Sequence, residues 1–106
     1  MLVTTTNSIE GRRITEYKGL VAGEAVTGAN VVRDIFAGLR DFFGGRSGSY
    51  EKVFRSSREA AIEDMVANAQ AMGANAVLGL DIDYESVGAK GSILMATACG
   101  TAVVIE

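Results

Sequence analysis

The stretch "SILMATACGTAVVI", residues 92–105, decides the fold, because nearly every residue in it is apolar or small and the alternation of a half-buried strand is missing. A strand with two apolar faces needs cover on both sides. In a lone sheet it therefore lies in the middle, between the strand that precedes the helical region and the strand that follows it. At about 3.3 Å per residue, some 14 extended residues span about 45 Å, whereas a compact chain of this size is only about 35 Å across. The strand must bend, with Gly100 as the natural place, or run onto a neighbouring molecule, and we expect both.

Just upstream, "AVLGLDIDYES", residues 76–86, alternates with a period of two. Leu78, Leu80, Ile82 and Tyr84 are expected on one face, Asp81, Asp83 and Glu85 on the other. Before it, Phe54, Ala61, Ile62, Met65, Ala69 and Met72 recur at helical spacing after Ser49, a residue suited to cap a helix start. Gly73 is placed to take the left-handed conformation that ends such a helix. A first helix is expected over residues 30–43, capped by Asn30 and closed by Gly44 and Gly45. Residues 2–6 and 14–26 are rich in β-branched residues and predict strands, the second broken by Gly19 and Gly23. The class is α+β, and residues 1–106 form one domain.

Composition narrows the functions. With 48% apolar and 22% charged residues the chain has ample core. A net charge of -3 offers no general attraction to nucleic acid or anionic lipid. The longest apolar run falls short of the roughly 20 residues that span a membrane. The opening "MLVTTTNSIEGRR" has neither a basic leader nor a long apolar core and is expected to belong to the fold. Together with a single cysteine, Cys99, this predicts a cytoplasmic location. Charge is also unevenly spread: residues 40–58 hold five basic and two acidic side chains, residues 63–106 one basic and six acidic. Such complementary regions suit a head-to-tail contact between copies, which closes into a ring when the rotation permits.

The segments "VTTTNSIEGRRI", "YKGLVAGEAVTGANVVRD", "GGRSGSYEK", "AMGANAVLGLDIDYES" and "GTAVVIE" resemble, in order, the YbjQ-like family over essentially the whole chain. That resemblance implies a dodecin-like β-α-β-β subunit with an antiparallel sheet packed on a long helix, an extra short N-terminal strand and an extra helix. It further implies a homo-oligomeric ring, typically a pentamer, and a heavy-metal-binding role.

Several groups of residues are candidates for function. Arg46, Ser47 and Ser49 stand near the amides of a helix start and suit a small anion. The loop lacks the Gly-Lys-Ser/Thr ending of a nucleotide P-loop, and a subunit contact through Arg46, Tyr50 and Glu51 is favoured over an anion site. For a divalent or heavy-metal ion the donors are Asp81, Asp83 and Cys99. Carboxylates two apart on a strand lie about 7 Å from each other, so a second strand or subunit must contribute. If Asp81 pairs opposite Thr97, then Met95, Thr97 and Cys99 share the acidic face. Soft metals prefer thiolate and imidazole clusters, and this chain has no histidine and one cysteine. Cys99, among Ala98, Gly100 and Ala102, is expected to act as small buried filler. No catalytic pair stands out around Arg46 and Glu51. Phe36, Phe42, Phe43, Phe54, Met65 and Met72 suit core packing rather than a cofactor pocket. The expectation is a non-enzymatic, ring-forming binding or scaffolding module, with metal binding at a shared site as the alternative.

Overall fold

The final strand is central. In the computed structural model, which describes residues 1–28, 48–88 and 93–106, with residues 48–50 by backbone alone, β1 (Leu2–Val3), β2 (Ile14–Thr27), α1 (Gly48–Ala71), β3 (Ala76–Val87) and β4 (Ile93–Ile105) follow in chain order. The sheet runs β1-β3-β4-β2. β4 pairs antiparallel with both neighbours, while β1 pairs parallel with β3, so the sheet is mixed rather than antiparallel throughout. The expected helix over residues 30–43, with Phe36, Phe42 and Phe43, lies outside the described residues.

One helix covers one face. Ala61, Met65 and Ala69 on α1 are fully buried against Val21, Val77, Ala96, Ala98 and Ala102. The helix sits directly on β2: a Cβ at Gly23 would overlap the backbone of Ala61 and Met65, so only glycine permits this approach. Ser57, buried between Phe54 and Ala61 on the apolar line, shares a 2.9 Å hydrogen bond with the Thr27 hydroxyl, which satisfies both groups. Side chains of α1 also reach the outer edge of β2: the Asn68 amide donates to the Ala22 carbonyl at 2.8 Å and the Glu24 N–H donates to Asp64 Oδ2 at 3.0 Å. Those bonds occupy backbone groups that an edge strand would otherwise offer to another chain.

The helix ends as its sequence predicts. Gly73 has φ +85°, its N–H donates to the Gln70 carbonyl at 3.0 Å, and the Ala74 N–H donates to the Ala69 carbonyl at 3.1 Å, the double bond of a Schellman cap. Asn75 then binds the end of β4 with its side chain, accepting from the Ile105 N–H at 2.7 Å and donating to the Ile105 carbonyl at 2.8 Å. The helix start differs from expectation: α1 begins at Gly48, which puts Ser49 inside its first turn rather than at its cap.

A bulge corrects the expected faces of β3. Leu78 pairs with Thr101 but Asp81 pairs with Cys99, so β3 carries one extra residue around Gly79, whose φ is +63°. Val77 before the bulge and Leu80 and Ile82 after it pack toward α1. Leu78 instead joins Ala76, Val103 and Ile105 on the opposite face, where Ile9 and Ile14 pack against them. β4 runs through Gly100, where close packing requires glycine: a Cβ there would come within 2.7 Å of Val77 Cγ1 and 2.8 Å of the Leu78 carbonyl oxygen.

The single chain is elongated. The molecule measures 53 × 25 × 15 Å with a radius of gyration of 16.8 Å, against about 13 Å for a compact chain of this length.

Candidate functional site: the sheet face opposite α1

Along β4 burial alternates. Leu94, Ala96, Ala98 and Ala102 are buried on the helix side, whereas Ile93, Met95, Thr97, Cys99 and Thr101 are only half-buried on the other. Among the described residues, both faces of β4 are therefore closed only at its C-terminal end, where Val103 and Ile105 meet the second apolar cluster. Over residues 93–101 the described residues leave one face open.

The strand registers define what that face displays. Ala22, Cys99 and Asp81 form one row across β2, β4 and β3; Glu24, Thr97 and Asp83 form the next; Val26, Met95 and Glu85 form the third. Leu20 opposite Thr101 and Tyr17 opposite Val103 extend it toward the other end. Leu20, Tyr17 and Val26 are 80%, 68% and 63% exposed, the three largest exposures of big apolar side chains among the described residues. Four carboxylates, Glu24, Asp81, Asp83 and Glu85, share the surface, and no basic residue of β2, β3 or β4 takes a position on it.

Two of the metal candidates meet here, with a corrected register. Asp81 faces Cys99 rather than Thr97, and Asp83 faces Thr97. The slip is of two residues, so the shared face is as expected while each partner changes. Cys99 is half-buried on this open face rather than packed inside the core. Directly opposed side chains have Cβ atoms about 5 Å apart, within reach of one ion, whereas Glu24 and Asp83 are separated by the whole width of β4, about 9.6 Å. No three carboxylate or thiol groups among the described residues come together closely enough to hold a metal. The described residues thus offer Asp81 and Cys99 as a pair of donors at most.

Of the other candidates, Arg46 and Ser47 lie outside the described residues. Ser49, Tyr50 and Glu51 fall in the first turn of α1, away from the open face, and Glu51 is exposed there. A groove of about 550 Å³ beside β1 is lined by Leu2, Thr4, Thr6, Ser8, Ile9 and Glu10, but its hydroxyls serve one another: Thr4 and Thr6 share a bond of 2.9 Å, and Thr6 Oγ1 donates to the Ser8 carbonyl at 2.6 Å.

The family whose description reads "Putative heavy-metal-binding" matches residues 1–106. The chain belongs to the YbjQ-like family. A UPF0145 protein of Acetivibrio thermocellus is 57% identical over 106 residues, covering all of both sequences. The YbjQ-like chain also matches the crystal structure of a protein with unknown function of the DUF74 family from Pediococcus pentosaceus, with a TM-score of 0.67 and 17% identity over 100% of this chain and 98% of that one. At that identity the likeness concerns the fold alone: a four-stranded mixed sheet on one helix.

Proposed function

We propose that this YbjQ-like protein is a non-enzymatic, self-assembling module that binds or scaffolds other components in the cytoplasm, built as a ring, a pentamer, of dodecin-like subunits. The observation that carries the reading is the open sheet face: Leu20, Tyr17 and Val26 lie exposed in one row of β2, beside the half-buried centre of β4. An apolar face of this kind is a surface that another molecule covers. The elongated single chain, with strands reaching past what α1 can cover, supports the same reading. Nucleic acid and membranes are not expected partners, in keeping with the net charge of -3; no helix among the described residues is long and apolar enough to cross a membrane.

A second reading is favoured by one observation, the opposition of Asp81 and Cys99. In it the protein holds a divalent or heavy-metal ion at a site shared between subunits, each contributing one oxygen and one sulfur donor, with Asp83 nearby. A ring would gather what a single chain lacks.

Native mass spectrometry of protein purified without an affinity metal column, before and after adding divalent ions, tests both. A mass near five chains is expected. The same mass with a stoichiometric ion favours the shared metal site, and a bare 11.1 kDa chain at all concentrations overturns assembly.

A further inference from the structure

The edges of a sheet offer unpaired N–H and C=O groups to other chains, and folded proteins blunt them. β2 carries two irregularities, between Ile14 and Glu16 and between Tyr17 and Gly19, and α1 then occupies Ala22 and Glu24 with the side chains of Asn68 and Asp64. On the opposite edge the N-terminal segment covers the first half of β3. The Thr4 N–H donates to the Val77 carbonyl at 3.0 Å, and the N–H groups of Gly79 and Leu80 donate to the carbonyls of Thr6 and Thr4 at 2.9 and 3.0 Å.

Among the described residues nothing continues that cover past Leu80. Leu80 points its N–H away from β4, and this direction alternates along a strand, so Ile82, Tyr84 and Ser86 turn their N–H and C=O groups the same way. The ladder to β4 is regular from Asp81 to Val87, with no bulge to turn this edge aside. Its two flanks differ in chemistry. On the face opposite α1, Asp81, Asp83 and Glu85 are exposed and form no ion pair with a described residue. On the helix side Ile82 packs against the core, and the Tyr84 ring meets Phe54 edge-on with centroids 5.1 Å apart.

We infer that residues 82–86 of β3 accept an added strand from a partner protein in which lysine or arginine alternates with apolar residues. Resting on the binding role proposed above, this names the partner's chemistry. Main-chain hydrogen bonds to Ile82, Tyr84 and Ser86 hold the strand, and its alternate side chains read the two flanks. Bases meet the three carboxylates on one face, and apolar residues extend the layer beside Ile82 and Tyr84 on the other. A second copy does not supply such a strand, because no two of the chain's 10 lysines and arginines stand two apart. Two-fold pairing of this edge with itself would set like carboxylates against each other.

A short capped peptide alternating lysine and valine is the probe. Its controls are a peptide of the same composition with the lysines grouped together, and the alternating peptide N-methylated on every second amide so that it cannot pair. Binding should slow hydrogen exchange at the amides of Ile82, Tyr84 and Ser86 at least about tenfold and leave Asp83, already turned toward β4, unchanged. Both controls, and Asp83→Lys with the parent peptide, should bind at least about tenfold more weakly. An N-methylated peptide that binds as tightly as its parent reduces the contact to charge attraction and overturns strand addition, as does a parent peptide that does not bind. Slow exchange at the three amides without peptide, relieved by dilution, means that a second copy holds the edge, and overturns it too. Native mass measured alongside separates this contact from assembly: an assembled protein that ignores the peptide loses the edge alone, and a monomer that binds it loses assembly alone.

Discussion

Asp81 stands directly opposite Cys99 across the β3–β4 ladder, on the sheet face that α1 does not cover. The bulge at Gly79 brings this about: without its extra residue, β3 would turn Asp81, Asp83 and Glu85 toward the helix and Leu80 and Ile82 outward. Among the described residues each chain accordingly presents one hard oxygen and one soft sulfur donor side by side, too few to hold an ion alone, so the metal reading proposed above needs donors from a second subunit.

If ions are held there, both side chains are needed. Changes that only support a metal ligand cost about 10–100-fold in affinity, so removing a ligand itself, by Cys99→Ser or Asp81→Asn, should cost at least about that. Equilibrium dialysis against zinc or cadmium, with the assembly mass as control, measures it. Undiminished uptake by both variants would remove these residues from any metal role.

Gly23 is the point where helix and sheet touch most closely. Gly23→Ala forces α1 away from β2 and should lower stability by about 1–3 kcal/mol, a fall of several degrees or more in thermal unfolding midpoint for a domain of this size. By contrast, alanine at Gly28, whose Cβ would meet nothing within 4 Å, should leave the midpoint close to wild type.

Asp64 and Asn68 guard the outer edge of β2. Asp64→Ala removes the acceptor of the Glu24 amide, at a cost of about 0.5–1.5 kcal/mol, and should speed hydrogen exchange at Glu24 with little change at Val21, whose position lies deep under the helix. An unchanged rate at Glu24 would mean that the bond does not protect that edge in solution.

How much of this was legible in the sequence depended on whether the cause was local. The central place of β4 follows from its missing alternation, and the buried line Ala61, Met65 and Ala69 from helical spacing. Gly73 is equally legible, since only its own φ and the preceding turn matter. Leu78 was not, because a single inserted residue at Gly79 reverses every face upstream of it. Nor was Ser57, whose burial depends on a hydroxyl from Thr27, thirty residues away. Glu24 is the one charged residue of 20–26, where every other position is apolar or small at both parities, so a single carboxylate is all that marks which side faces away from the helix. The openness of the sheet face was hidden for a related reason: the apolar character of β4 says that both faces want cover, without saying whether the cover comes from the same chain or another.

That last point is the centre of the account, and the thiol in the middle of the face reports on it. Alkylation of Cys99 with a small reagent, followed by mass spectrometry in native buffer and again in denaturant, compares the covered and uncovered states. The account predicts that, with another copy covering the face, native labelling is at least about tenfold slower than in denaturant and rises on dilution, as the copies separate. Labelling of native Cys99 as fast as in the denatured chain would contradict it, since the face would then be bare in solution.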